Sequence, residues 1–394
     1  MQFKTFDLLP HGTTFDFVGK RYIAVVLSLI ANLTVIVWAL PAVHGLNFGV
    51  DFAGGTEMEI KFAQAVDPGA IRRSLDEQGF KDASVQTYGP DRDNTFLIRV
   101  GRIALMGAED VKRVEEAVKA RFAVKSVSFN PEIGDKIDFQ FEGPVATADL
   151  QVAVESAGVR VREVREEAGL TAGTRSFAVI TQGIREKVEH ELNTRFAAAR
   201  PEVRRVEYVG PAVGRELRNQ GFKAVLYAIA LIVVYVGLRF DFRFSPGVVI
   251  AIIHDAIVTL GYFAFSGREF NLTSIAVILT VVGYSVNDTV VVYDRIRENK
   301  AKYQGRGLAD LVNLAINETL GRTFLTSFAT ALSLVGLLIF GVGTIFDFAF
   351  AMVLGIVSGT YSTWFIAAPM TIWLEERAAK KKAGPSGPAA AAAR

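Results

Sequence analysis

Asp288 sits in GYSVNDTVVVYD, residues 283–294, an otherwise apolar run that ends at Arg295. If the run is helical, seven residues at about 1.5 Å each put the carboxyl roughly 10 Å inside the charged end. That is too deep for easy snorkelling, so the carboxyl needs a partner or a proton. Asn287 and Thr289 flank it with hydrogen-bonding groups. Two readings stand: a static bond between helices, or a carboxyl that takes up and releases a proton. His254 and Asp255 lie at a similar depth in another apolar run, 246–265. Three titratable groups at one level point to a shared polar centre. Which of them face inward the sequence leaves open, and a lone His254 is more often structural.

Arg322 opens the run 323–340. It either snorkels to the headgroups or pairs with a neighbouring aspartate and holds it ionised. Thr323, Thr326, Ser327 and Thr330 lay a hydroxyl stripe along that run, suited to bonds between helices or a file of water. Ser358, Thr360, Ser362 and Thr363 give a later run a similar small, polar face, read here as helix packing. In GLNFGVDFAGGT, 45–56, Asp51 caps a turn or, with Gly54 and Gly55, marks a hinge.

These residues need a bilayer around them. The chain has 394 residues and is 51% apolar before its 35 glycines are counted. Soluble domains reach only about 45–50% with glycine included. Runs at 22–40, 222–238, 246–265, 272–292, 323–340 and 346–373 are long enough to span. The first competes with a signal peptide, but its basic leader and length favour an uncleaved helix. Arg239, Arg243, Arg295, Arg297, Lys300, Lys302, Arg306, Arg377 and Lys380 fall on one side of this plan. The positive-inside rule therefore puts both termini in the cytoplasm.

The expected organisation is a cytoplasmic N-terminus (1–21), a first helix (22–43), an extracytoplasmic α+β domain (44–220), five helices (221–374) and a disordered tail (375–394). Residues 308–316 read as a short amphipathic connector packed under the bundle. The outer domain carries an internal repeat. Helix 70–79, strands 83–88 and 95–100, helix 110–122 and strand 127–133 recur as 149–158, 160–165, 176–181, 184–196 and 206–213. Leading strands fit at 57–62 and 139–141. That is the order of a split βαβ unit, so two tandem ferredoxin-like units, 57–137 and 139–217, are expected. Neither copy holds a nucleotide fingerprint, a metal cluster or a nucleophile arrangement, so the domain reads as a binding or lever element and the chain as no enzyme.

With 43 basic and 41 acidic residues, nucleic-acid binding is not expected. The chain has no cysteine, which excludes disulfides and thiolate chemistry. Four motifs then carry a resemblance: GVDFAGGT at 49–56, SVNDTVVVYDRIREN at 285–299, RTFLTS at 322–327 and GTYS at 359–362. The chain resembles the SecF family of protein-export membrane subunits, within the SecD/SecF and resistance–nodulation–division group. The resemblance implies a multi-pass protein of the bacterial inner membrane, with its large domain periplasmic. It implies SecD and the SecYEG translocon as partners, a translocating unfolded preprotein as client, and membrane lipid around it. It also implies use of the proton motive force, with protons as coupling ion and no other cofactor. Asp288 matches the family's intramembrane proton-transfer aspartate and Arg322 its partner arginine. A second outer unit departs from the single periplasmic unit usual in the family. The rival reading is a stand-alone proton-coupled exporter of lipid or small molecules, which generally needs two six-span halves. A purely structural scaffold is the third.

Overall fold

The computed structural model describes residues 13–81, 83–89, 93–101, 108–129, 136–167, 175–240 and 245–383. The end of the first repeat at Ile133, the loop residue Arg243 and the last part of the tail lie outside the described residues. Gly49–Arg218 forms one compact unit, and the helices before and after it form the other.

The chain enters through α1 (Arg21–Ala39), then reaches a single helical turn, α2 (Val50–Ala53). The outer unit then runs β1 (Gly55–Lys61), α3 (Pro68–Glu77), β2 (Ser84–Thr87) and β3 (Thr95–Val100). It continues with α4 (Ala108–Lys119), β4 (Val124–Phe129), β5 (Lys136–Phe141), α5 (Thr147–Glu155), β6 (Val161–Glu167), β7 (Arg175–Thr181), α6 (Ile184–Arg195) and β8 (Glu202–Val209). Strand β1 alternates inward Met58 and Ile60 with outward Glu59 and Lys61, the period of a half-buried strand. Helix α3 starts where Asp67 accepts from the Gly69 and Ala70 N–H groups, with Pro68 at its first position. Gly79 and Gly158 end the matching helices α3 and α5 with φ of +91° and +84°, a conformation that costs a side chain strain.

Among the described residues the strands form two four-stranded antiparallel sheets, ordered β2-β3-β1-β8 and β4-β5-β7-β6. The first has the strand order of a split βαβ unit, and the second has it as a circular permutant that begins with β4 in place of ending with it, so the two tandem blocks 57–137 and 139–217 are not the units that fold. Strand β8, from the second repeat, pairs with β1 from Gly55↔Val209 to Lys61↔Glu202. Strand β4, from the first repeat, pairs with β5 instead. The cores agree: Met58, Ile60 and Ile98 pack with Ile71 and Leu75 of α3 and with Val188 and Leu192 of α6. Ile137, Phe139 and Val179 pack with Val114 and Val118 of α4 and with Leu150 and Val154 of α5. The helix–strand pairs closing the two repeats have been exchanged, so 108–181 is a complete unit inserted into the first. Chain locality accounts for this. β4 precedes β5 by a short connection, and closing that small loop costs less entropy than a long one.

Within the first sheet Glu57 faces Arg99 across β1 and β3. Burial pushes the Glu57 carboxyl up from its ordinary value, and the Arg99 guanidinium opposes that.

The membrane part resumes with α7 (Pro211–Phe240), α8 (Ser245–Ser266), α9 (Leu272–Lys302), α10 (Leu308–Phe340), α11 (Thr344–Ser362), a π-helical turn (Thr363–Ala367) and α12 (Ala368–Ala383). Among the described residues six helices are long and apolar enough to cross a bilayer, α11 to α12 counting as one. Two boundaries differ from expectation. The amphipathic connector 308–316 is not separate: α10 continues through it, since Gly321 alone does not break a helix. Its Asn313 and Asn317 side chains accept from the Phe17 and Phe15 N–H groups at 2.9 Å, strapping the segment before α1 onto α10. The tail expected to be disordered from 375 is helical to Ala383, as its Ala, Glu and Lys content permits; 384–394 lie outside the described residues.

Candidate functional site

Two polar centres lie inside the helical bundle, where sequence reasoning expected one. The first surrounds Asp255, which is wholly buried on α8. Its Oδ1 accepts from Ser358 Oγ at 2.6 Å and faces His254 Nδ1 at 2.9 Å. Its Oδ2 accepts from Ser285 Oγ at 2.6 Å and Ser362 Oγ at 2.7 Å. Ser358 and Ser362 are one turn apart on α11, so both hydroxyls reach the same carboxylate. Ser285 comes from α9, where the missing side chain of Gly359 lets the two helices touch. A Cβ at Gly359 would stand 3.0 Å from the Ser285 Cβ. The serines read from sequence as helix packing are thus carboxylate ligands. Their four-residue spacing was the available signal.

The second centre is Asp288 on α9, also buried, facing α10 rather than α8. Ser327 Oγ lies 3.4 Å from its Oδ2 and 2.9 Å from Thr360 Oγ1 on α11. One such long hydrogen bond leaves this carboxyl far less satisfied than Asp255. Beside it Tyr284 and Thr330 join their hydroxyls at 2.9 Å, and Thr289 meets Thr363 at 2.8 Å. Among the described residues no ion pair joins Arg322 to Asp288. Arg322 is exposed. Asn287 is exposed as well, so it does not join its neighbour's site. The expected single centre therefore separates by its bonding: among the described residues no hydrogen bond joins Asp288 to His254 or Asp255, although Ser285, which binds Asp255, stands only three residues before Asp288 on α9. The cause is side-chain direction, which depth along a helix does not report.

A third cluster gave no sequence signal. At the far end of α8, Tyr262 OH donates to Asp347 Oδ1 at 2.7 Å, and Arg268 Nε lies 3.6 Å from the same oxygen. At the opposite end, Arg295 binds Glu318 at 2.6 Å and Glu298 at 2.7 Å, while Asn299 donates to Glu318 at 2.8 Å. These bonds fasten α9 to α10.

The glycine-rich turn has its own geometry. Asp51 stands in the short α2, and Gly54 and Gly55 follow with φ of +74° and +131°. A Cβ on Gly55 would come within 2.7 Å of the Val100 carbonyl oxygen. Gly214, at the start of α7, packs so closely on this turn that a Cβ there would sit 3.1 Å from the Gly54 nitrogen and 3.3 Å from the Asp51 oxygen. Gly55→Ala is expected to destabilise the outer unit by about 1–3 kcal/mol through backbone strain. Thermal unfolding of the fragment 49–218 measures it, and an unchanged midpoint would refute the strain.

Comparison with known proteins bears on both regions. A family model described as protein export membrane protein SecD/SecF, C-terminal, matches residues 187–377, and one for the SecD/SecF GG motif matches 40–66. Protein translocase subunit SecF of Koribacter versatilis (strain Ellin345) is 36% identical over 401 residues, 97% of this chain and 97% of that protein. The chain belongs to the SecF family. The SecF of Pseudomonas aeruginosa is 36% identical over 361 residues, 92% of each chain. A crystal structure of SecDF, a translocon-associated membrane protein from Thermus thermophilus, has a TM-score of 0.61 at 26% identity and 93% coverage of this chain. SecDF in a super-membrane-facing form gives a TM-score of 0.55 at 28% identity and 95% coverage. This chain spans 39% and 41% of those two SecDF chains. Within the SecF family frame, the GG-motif match contains Asp51, Gly54 and Gly55. The C-terminal match contains Asp255, Asp288 and Arg322.

Proposed function

We propose that the chain is a non-enzymatic auxiliary subunit of Sec protein export, working beside SecD in the bacterial inner membrane and driven by the proton motive force. The observation that carries this reading is an exposed polar stripe on the membrane helices around Asp288. Helix α9 exposes Thr280, Gly283 and Asn287 at helical spacing, and the adjacent α10 exposes Arg322, Thr326 and Ser333. Hydrocarbon is a poor solvent for an arginine and an asparagine, whereas a second set of membrane helices is a good one. A SecD-type subunit laid on this stripe would place its own polar groups against Arg322 and close the site around Asp288.

In this arrangement Asp288 takes a proton from one side of the membrane and gives it to the other as Arg322 and its partner approach and withdraw. Both termini face the cytoplasm and Gly49–Arg218 faces the periplasm, where it acts on a preprotein leaving SecYEG. The test is affinity purification from native membranes. SecD and SecYEG components are expected to copurify, and Arg322→Leu should weaken SecD recovery. A homo-oligomer that transports a small molecule without them would replace this reading with the exporter.

Orientation is tested separately. Cysteines introduced at Lys4 and Lys380 should resist an impermeant thiol reagent added from outside, and one at Glu163 should react. The reverse pattern would invert the topology.

A further inference from the structure

We infer that Asp255 is a second proton-binding site, distinct from Asp288, and that Ser362 is the hydroxyl that lets it change charge without losing a hydrogen bond. Its use in transport rests on the proton-driven reading above; its titration does not.

An ionised carboxylate accepts through about four lone-pair positions. At Asp255 three are filled by the hydroxyls of Ser358, Ser285 and Ser362, and His254 Nδ1, 2.9 Å from Oδ1, fills the fourth in the tautomer that carries its proton there. This suits the charged form, yet the group is fully buried and no Lys or Arg pairs with it among the described residues. A buried charge held by neutral hydroxyls is expensive, so the neutral form lies within reach only if the cage can accept a proton as well as donate. Ser362 supplies that. Its Oγ is 2.7 Å from Asp255 Oδ2 and 3.1 Å from the Gly359 carbonyl oxygen. When a solvent proton binds Oδ2, the new O–H donates to Ser362 Oγ, and the Ser362 hydroxyl turns to the Gly359 carbonyl. One hydrogen bond is exchanged for two neutral ones, and deprotonation reverses the step.

Helices α9, α11 and α1, the π-helical turn and α12 all pack against α8. The π-helical turn, Thr363–Ala367, carries no titratable group; on α12 Glu375 pairs with Lys300 and Arg377 lies over the Trp373 ring, and on α9 the Tyr293 hydroxyl donates to the Ala367 carbonyl. His254 is the neighbour on α8, and Asp288 is three residues from Ser285 on α9. On α11 the Tyr361 ring lies 5.9 Å from the His254 ring. On α1, Ser28 bonds Tyr361 and Asn32 bonds the Ser28 carbonyl, neither of them titratable. The mechanical consequence follows from where the donors sit. The charged carboxylate ties α8, α9 and α11 together, and neutral hydrogen bonds tie them less strongly. The π-helical turn begins at Thr363, immediately after Ser362, so α11 has a local irregularity at which register can shift.

The test is infrared titration of the purified full-length chain in lipid nanodiscs. Acid-minus-neutral spectra of Asp288→Asn should contain a carboxylic-acid carbonyl band that disappears in Asp288→Asn/Asp255→Asn. Adding Ser362→Ala to Asp288→Asn removes the acceptor of the acid O–H, so the carbonyl band of the protonated Asp255 should move in frequency. Identical spectra for the first two variants, or a band of unmoved frequency in the third, would overturn the inference. If the double variant loses its helical circular dichroism, the 13C shift of the Asp255 carboxyl in the unsubstituted chain decides. It should move from carboxylate to acid as pH falls, and a flat response refutes the site. Failure of the proton-driven reading would appear instead as full export by Asp288→Asn, with the Asp255 band intact.

Discussion

Asp288→Asn is expected to abolish the gradient-dependent part of preprotein export while leaving insertion, folding and recovery of SecD unchanged. Asparagine keeps the size of aspartate and can still bond Ser327, but it cannot take up or release a proton. The structural cost should be small because the contact being replaced is a single long one of 3.4 Å. The contrast with Asp255 makes the point physical. A carboxyl gripped by three serines and a histidine resists substitution, since removing it strands several buried donors at about 1–3 kcal/mol each. A carboxyl with one weak partner loses little when it is replaced. The measurement is export into inverted membrane vesicles with and without an imposed gradient. Export by the variant should fall to the level seen without a gradient, and a normal response to the gradient would remove Asp288 from the mechanism.

Dissection of the outer unit should give an all-or-none result. Cutting at the boundary between the repeats, as fragments 49–137 and 139–218, should yield two unfolded chains. The first would lack β8, which pairs along the whole of β1, and the second would lack β4 and α4. Neither core could close, because α6 supplies Val188 and Leu192 to the first and α4 supplies Val114 and Val118 to the second. Loss of two or three large core residues at about 2–5 kcal/mol each exceeds the roughly 5–15 kcal/mol that stabilises an ordinary domain, once strand pairing is also lost. Joining 49–101 to 182–218 through a short Gly-Ser linker should instead fold, as should 108–181 alone. Amide dispersion in two-dimensional NMR spectra reads all four fragments. Folded tandem halves, or an unfolded 108–181, would refute the interleaved arrangement.

The same mutual exclusivity shows what one dimension could carry. The six membrane helices, the repeat and the glycine-rich turn were legible because each is a local pattern: about twenty apolar residues, a period of 3.6 or 2, or a pair of glycines needing positive φ. Strand Thr95–Val100 was placed to the residue for that reason. The depth of Asp255 and Asp288 was likewise a matter of counting along a helix. Which helix–strand pair completed which sheet was not local. Two similar repeats offer two similar partners, and only the pairing energies and loop closures of the folded unit choose between them. Direction around a helix axis was equally hidden. Asp288 and Asn287 are adjacent in sequence, yet one is buried and the other exposed. Asp255 and Asp288 stand at comparable depth, yet one is caged by serines and the other is nearly unpartnered. Sequence by itself determined that carboxyls lie within the membrane helices. Tertiary packing decided their surroundings, because the hydroxyls that hold Asp255 come from helices 30 and more than 100 residues away along the chain.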